Sequence, residues 1–204
     1  MTLTRRYDSL LAELQQQPRR SASFLVAVDG CAGSGKTTFA RKLQELDPTI
    51  GVIHLDDFYL PSAQRPAQCP TIAEEYDIAR LLAKVLTPLT HNQPAHYQRY
   101  DWVEDRLAEY HTLPAGGMVV IEGVSALLPQ VATIYDYRVW VECPYDLRLA
   151  RGLARDGEKV RDWWVNGWMP AEQRYIQVYS PAERVDLKVD GSVEVPDEFA
   201  VLTM

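Results

Sequence analysis

The sequence predicts an α/β fold: a three-layer α/β/α sandwich around a mainly parallel five-stranded sheet, with a small helical lid. Three observations carry that reading. Short strand-like segments recur at residues 24–28, 52–55, 118–121, 137–141 and 185–189, and the continuous apolar run at 24–28 suits a strand covered on both faces. Helical stretches alternate with them, which makes successive strands parallel. A glycine-rich turn joins the first run directly to a helix.

Each element follows from local pattern. Leu3, Tyr7, Leu10, Leu11 and Leu14 recur at helical spacing, so residues 2–16 read as an amphipathic helix within an N-terminal segment, 1–22. The main domain spans 23–191. After the glycine-rich turn a helix runs over 36–45 and closes at Asp47-Pro48. The second strand, 52–55, ends in two aspartates. Residues 61–71 hold three prolines without periodicity and read as a loop. Residues 72–86 read as a helix buried through Ile78, Leu81, Leu82 and Val85, and 87–115 as polar and irregular. Helices follow over 147–154 and 171–183, and the tryptophan-rich stretch 161–168 has no clear pattern. The lid covers about 148–165, and 192–204 read as a loose tail.

Composition excludes several classes. The 204 residues, 47% apolar and 24% charged, suffice for one full core. A net charge of −7 argues against broad nucleic-acid binding, which needs a basic face. Cys31, Cys69 and Cys143 show neither CxxC spacing nor a neighbouring zinc-completing histidine, and suit reduced thiols. Arg5, Arg6, Asp8 and Glu13 interrupt any signal-peptide core, and the longest apolar stretch, 118–129, is too short to span a bilayer. The expectation is a cytoplasmic protein without a membrane partner; the pattern leaves its oligomeric state open.

The sharpest motif is the G-x4-G-K-T from Gly30 to Thr37, placed between a strand and a helix as a P-loop requires. Glycines let backbone N–H groups turn inward around a polyphosphate, and the helix N-terminus adds partial positive charge. Gly30, Cys31, Ala32, Gly33, Ser34, Gly35, Lys36, Thr37 and the following Thr38 are therefore the candidate ATP contacts. Lys36 would reach the β- and γ-phosphates, and the Thr37 hydroxyl would hold Mg²⁺.

Chemistry needs carboxylates as well, and two strand ends supply them. Asp56, after the second strand, would take or align the proton of an acceptor hydroxyl and is a further candidate metal ligand. Glu122, after the third, would hold Mg²⁺ directly or through water. Asp57 serves either the site or a helix cap. Arg148, Arg151 and Arg155 share one helix face, either as a solvated stripe or as a lid over the transferring phosphoryl group. Arg155 is the first candidate, with Arg151 and Arg161 beside it. Trp163, Trp164 and Trp168 form either a partner-facing or pocket-covering patch or, more commonly for such rings, part of the core.

With these residues in place, the chain resembles the uridine kinase-like branch of P-loop kinases, a group that includes phosphoribulokinase, pantothenate kinase and nicotinamide riboside kinase. The resemblance covers roughly residues 24–190. It rests on the order of the P-loop, LDDFY at 55–59, EYD at 75–77, RYDW at 99–102, VVIEG at 119–123, the stretch 143–156 and VDLKVDG at 185–191. It implies a P-loop NTPase fold and transfer of the γ-phosphoryl group of ATP, with Mg²⁺, to a hydroxyl of a small nucleoside-like acceptor. It implies roles for Asp56 as catalytic aspartate, Glu122 as metal-associated acid, Arg155 as lid arginine, and Tyr59, Tyr76, Asp77 and Tyr100 as acceptor contacts. Read without it, Asp77 equally suits an N-terminal helix charge, and the tyrosines equally suit the core. The chain also departs from uridine kinases: Asp105 replaces a histidine, Gly152 a lid arginine, and Lys159 and Arg161 an arginine pair. Those departures point toward another acceptor, such as nicotinamide riboside, pantothenate or a sugar. A partner-regulated P-loop ATPase is the rival of a different class, and neither DxxG nor NKxD occurs to support it.

Overall fold

Strand β2 (Ser23–Asp29) is buried along its whole length, because the sheet extends on both sides of it and helices cover both faces. The computed structural model describes residues 3–66 and 71–203; Cys69 and part of the predicted loop 61–71 lie outside them. Five strands run parallel in the order β8 (Leu187–Val195), β7 (Tyr137–Glu142), β2, β6 (Gly117–Glu122) and β3 (Gly51–His54). Side chains alternate across β2. Phe24, Val26 and Val28 pack with Leu10 and Leu14 of α1 (Tyr7–Gln16) and with Phe39 and Leu43 of α2 (Lys36–Leu46). Leu25 and Ala27 face the opposite layer, formed in part by the helical stretch 78–90 and by α7 (Met169–Tyr179).

Two strands join the predicted five. β9 (Glu198–Val201) pairs antiparallel with β8, and β1 (Leu3–Arg6) pairs antiparallel with β9. The chain start is thus strand before it is helix, and the tail expected to be loose continues the sheet through β9. Tyr7, Phe39 and Phe199 fasten this corner, with ring centroids 5.0 to 5.5 Å apart.

The stretch predicted as irregular, 87–115, ends the preceding helix and then forms a hairpin of β4 (Ala95–Asp101) and β5 (Arg106–Leu113). The predicted helix 72–86 is divided. A 3₁₀ turn, Ile72–Glu75, carries a Thr71–Glu74 capping box. A fresh start at Asp77 then leads through α3 (Ile78–Leu81), a π-helical turn at Leu82–Leu86 and α4 (Thr87–Thr90). The short α5 (Pro129–Ala132) precedes β7, and α6 (Tyr145–Asp156) follows it. The tryptophan-rich stretch is helical, with a π-helical turn at Trp163–Trp168 running into α7. The parallel strands thus end along one edge, where His54 lies opposite Glu122 in register. Ligands of open α/β sheets bind at that edge.

Candidate active site

The glycine-rich turn owes its shape to close packing. Gly30 has φ +149°, and a Cβ there would stand 2.4 Å from the Val141 carbonyl oxygen. Gly33 has φ +75°, and a Cβ there would stand 2.7 Å from the Arg148 carbonyl oxygen. Neither position admits a side chain. Lys36, the first residue of α2, is buried and curls back so that Nζ donates to the Cys31 carbonyl at 3.0 Å. The loop is also braced from α7: buried Glu172 accepts the Ala32 N–H at 2.8 Å and pairs with buried Arg148 at 2.9 Å. Asp29, fully buried just before Gly30, accepts from the Gly30, Ser125 and Leu127 N–H groups and the Tyr175 hydroxyl. Burial pushes its carboxyl up to about 6 against the pull of those bonds.

The carboxylates sit beside this loop. Glu122 Oε1 accepts the Thr37 hydroxyl at 3.0 Å and lies 2.6 Å from His54 Nδ1. Burial works to raise the Glu122 carboxyl, but His54, Lys36 and Thr37 outweigh it and hold it below its ordinary value; the same contact raises His54. A threonine hydroxyl and a carboxylate meeting at the start of the P-loop helix are a donor set that fits Mg²⁺, which takes few protein oxygens and relies on phosphate and water. Among the described residues no three His, Cys, Asp or Glu side chains gather into a fuller cage.

Asp56 stands in the turn Leu55–Phe58 after β3. Its side chain is exposed within the cleft while protein surrounds it on the other sides. That enclosure raises its carboxyl, with Lys36 drawing it back and Glu122 adding to the rise. The Tyr76 hydroxyl donates to Asp56 at 3.4 Å. One cleft of about 1070 Å³ is lined by Lys36, Thr37 and Glu122 and by Asp56, Tyr59, Tyr76 and Trp102. Lysine and aspartate are therefore joined by open space at the same sheet edge.

Other predicted residues are divided. Tyr59 and Tyr76 line the cleft, ring centroids 4.3 Å apart. Tyr100 is turned away from it: its hydroxyl donates to Asp105 at 2.7 Å and accepts from Arg65 at 2.8 Å. Asp77 is the N-cap of α3, accepting the Arg80 N–H at 2.9 Å, and does not line the cleft. Asp57 accepts from the Tyr97 hydroxyl at 3.4 Å. The arginine stripe also separates. Arg148 is spent on Glu172, and Arg151 bonds the Gly191 carbonyl at 2.7 Å and Glu194 at 2.8 Å at the cleft wall. Arg155 faces the cleft and the charge of Asp56. Arg161 pairs with Glu158 at the exposed surface, outside the cleft lining.

Asp29, Glu172, His54 and Trp102 carry no role in the sequence reading, whereas Trp164, one of the three tryptophans named there, is both buried and part of the cleft lining. A carboxylate ending a buried strand was a usable signal for Asp29. Glu172 offered none, because its partners Ala32 and Arg148 are 140 and 24 residues away.

The chain matches one family model and several known proteins. The family described as AAA domain matches residues 26–179. A nicotinamide riboside kinase of Saccharomyces cerevisiae is 26% identical over 196 residues, covering 83% of this chain and 81% of the relative. A uridine kinase of Borrelia turicatae is 27% identical over 143 residues, covering 66% and 68%. A solved structure described as a possible uridine kinase from Bacillus stearothermophilus superposes with a TM-score of 0.69 at 21% identity, covering 89% of this chain and 96% of that one. D-glycerate 3-kinase from Cryptococcus neoformans superposes at 0.60 with 15% identity, covering 93% and 94%. These likenesses in structure establish the P-loop kinase α/β fold. Among the described residues no helix is long and apolar enough to cross a membrane.

Proposed function

The chain belongs to the AAA domain family of P-loop proteins, and on that premise we propose that it transfers the γ-phosphoryl group of ATP to a hydroxyl of a nucleoside-like acceptor. That it is a phosphotransferase rests on its kinase relatives. The observation behind the finer reading is the single cleft that holds Lys36, Thr37 and Glu122 on one side and Asp56, Tyr59 and Tyr76 on the other.

In this reading the amides of residues 30–37 and Lys36 grip the triphosphate, and Lys36 exchanges the Cys31 carbonyl for phosphate oxygens. Thr37 and Glu122 would hold Mg²⁺, which would supply charge neutralisation for the transferring phosphates. Asp56 accepts the acceptor's hydroxyl proton or aligns that hydroxyl with the γ-phosphorus. Arg155, across the cleft, offsets charge on the transferring group.

The acceptor wall supports a flat, ring-bearing molecule. Tyr59 lies between Tyr76 and Trp102, with ring centroids 4.3 and 4.4 Å away, and stacking surfaces of this kind bind bases and sugars. Arg65 donates to the Leu60 carbonyl and the Tyr100 hydroxyl, with its guanidinium against the rings of Tyr59, Tyr100 and Trp102. A second reading is favoured by the same rings beside Asp56: a positively charged base, as in nicotinamide riboside, which gains from aromatic faces and a nearby carboxylate. An acceptor panel with ATP and Mg²⁺, scored by ADP release and product mass, separates the readings. Nucleosides or nicotinamide riboside should be phosphorylated; turnover confined to glycerate or pantothenate, or hydrolysis without any acceptor, would refute them.

A further inference from the structure

Asp156 occupies the last turn of α6, where a negative charge opposes the helix dipole. Its contacts account for its presence there. Its two oxygens accept Arg155 Nε at 2.7 Å and Nη2 at 3.0 Å, and Oδ2 also accepts Trp164 Nε1 at 3.1 Å. The Arg155 guanidinium lies 5.9 Å from the centre of the Trp164 ring. Trp164 is fully buried and seats against Gly152 one turn back on α6: a Cβ there would approach its ring within 2.3 Å. The arginine is thus held in two directions, by a bidentate carboxylate and by a ring whose own N–H fixes that carboxylate.

We propose that Trp164, acting through Asp156, is a positioning residue for Arg155, and that Gly152 is glycine to admit it. The role rests on the transferase reading above. An exposed arginine samples many rotamers, and holding it in one before the phosphoryl group arrives removes an ordering cost from the transition state. The holder therefore acts on kcat, while the triphosphate grip stays with the P-loop.

A double-mutant cycle tests this. Trp164→Phe keeps an aromatic ring, though a smaller one, and removes the indole N–H; it should lower kcat about tenfold with the KM for ATP within about twofold. In an Arg155→Ala background the same change should cost nothing further. An equal loss in both backgrounds would assign Trp164 a purely structural role, and a faster Trp164→Phe enzyme would mean that Asp156 parks the arginine instead; either overturns the proposal. Should Trp164→Phe fold poorly, Asp156→Asn completes the same cycle. Slow phosphoryl transfer to water reads out the cycle where no acceptor is turned over, so failure of the holder and failure of the acceptor assignment remain distinct.

Discussion

Lys36 and Asp56 divide the proposed chemistry between binding and transfer, and substitution separates the two. Lys36→Ala should lower turnover by about three orders of magnitude or more, because the triphosphate loses its charge partner. Asp56→Asn should keep ATP affinity within about threefold while phosphoryl transfer falls at least about a hundredfold. Titration with a fluorescent ATP analogue beside steady-state rates checks both. The P-loop was legible in sequence because its residues are contiguous and their backbone does the binding. Asp77 and Tyr100 were legible as short motifs, but motif residues carry no direction. Asp77 caps a helix, and Tyr100 turns toward Asp105 and Arg65. Arg148 and Arg155 share a helix face, yet one meets buried Glu172 and the other open cleft. Helical spacing gave them a common face, and the neighbours decided their separate roles.

Among elements, the approach of β8 to the P-loop is the tightest joint. A Cβ at Gly191 would stand 1.9 Å from the Ser34 carbonyl oxygen, so Gly191→Ala should displace the loop and destabilise the fold by about 1–3 kcal/mol, weakening ATP binding as well. Thermal melts with and without nucleotide measure both effects. Removing the α3 cap with Asp77→Ala should cost about 1 kcal/mol and leave the KM for the acceptor unchanged. A large acceptor effect would return Asp77 to the binding site. The central strands β2 and β6 were readable because their covered runs are almost wholly apolar, and β3, β7 and β8 through shorter, interrupted apolar stretches. β1 was not, since it owes its strand state to β9 at the opposite end of the chain, and β9 is a short strand that returns along β8. The hairpin of β4 and β5 escaped notice because β5 is largely exposed and polar.

Across the whole molecule, Asp29 ties the P-loop, the turn after β6 and α7 together. Its folded carboxyl, at about 6, lies above its ordinary 3.8, so the folded chain holds this proton more tightly than the unfolded one. The stability it adds is full below about pH 4 and is lost as pH rises through about 6. The difference between native and Asp29→Asn stability, followed by denaturant titration from pH 4 to pH 7, should slope in that window and be flat above it. An invariant difference would refute the buried-proton account. The seven-stranded sheet also joins both chain ends, so deletion of residues 197–204 should remove β9, unpair β1 and lower the melting temperature by several degrees or more.

In the proposed reaction one cleft presents a hydroxyl to an ATP phosphate under the direction of Asp56. This step is tested most directly by single-turnover transfer from γ-labelled ATP, comparing native and Asp56→Asn protein with the best acceptor of the panel. Native protein should move the label to the acceptor within seconds, and Asp56→Asn should bind the same ATP and leave it intact. Native-like transfer by Asp56→Asn, or label released only as free phosphate by the native protein, would contradict it.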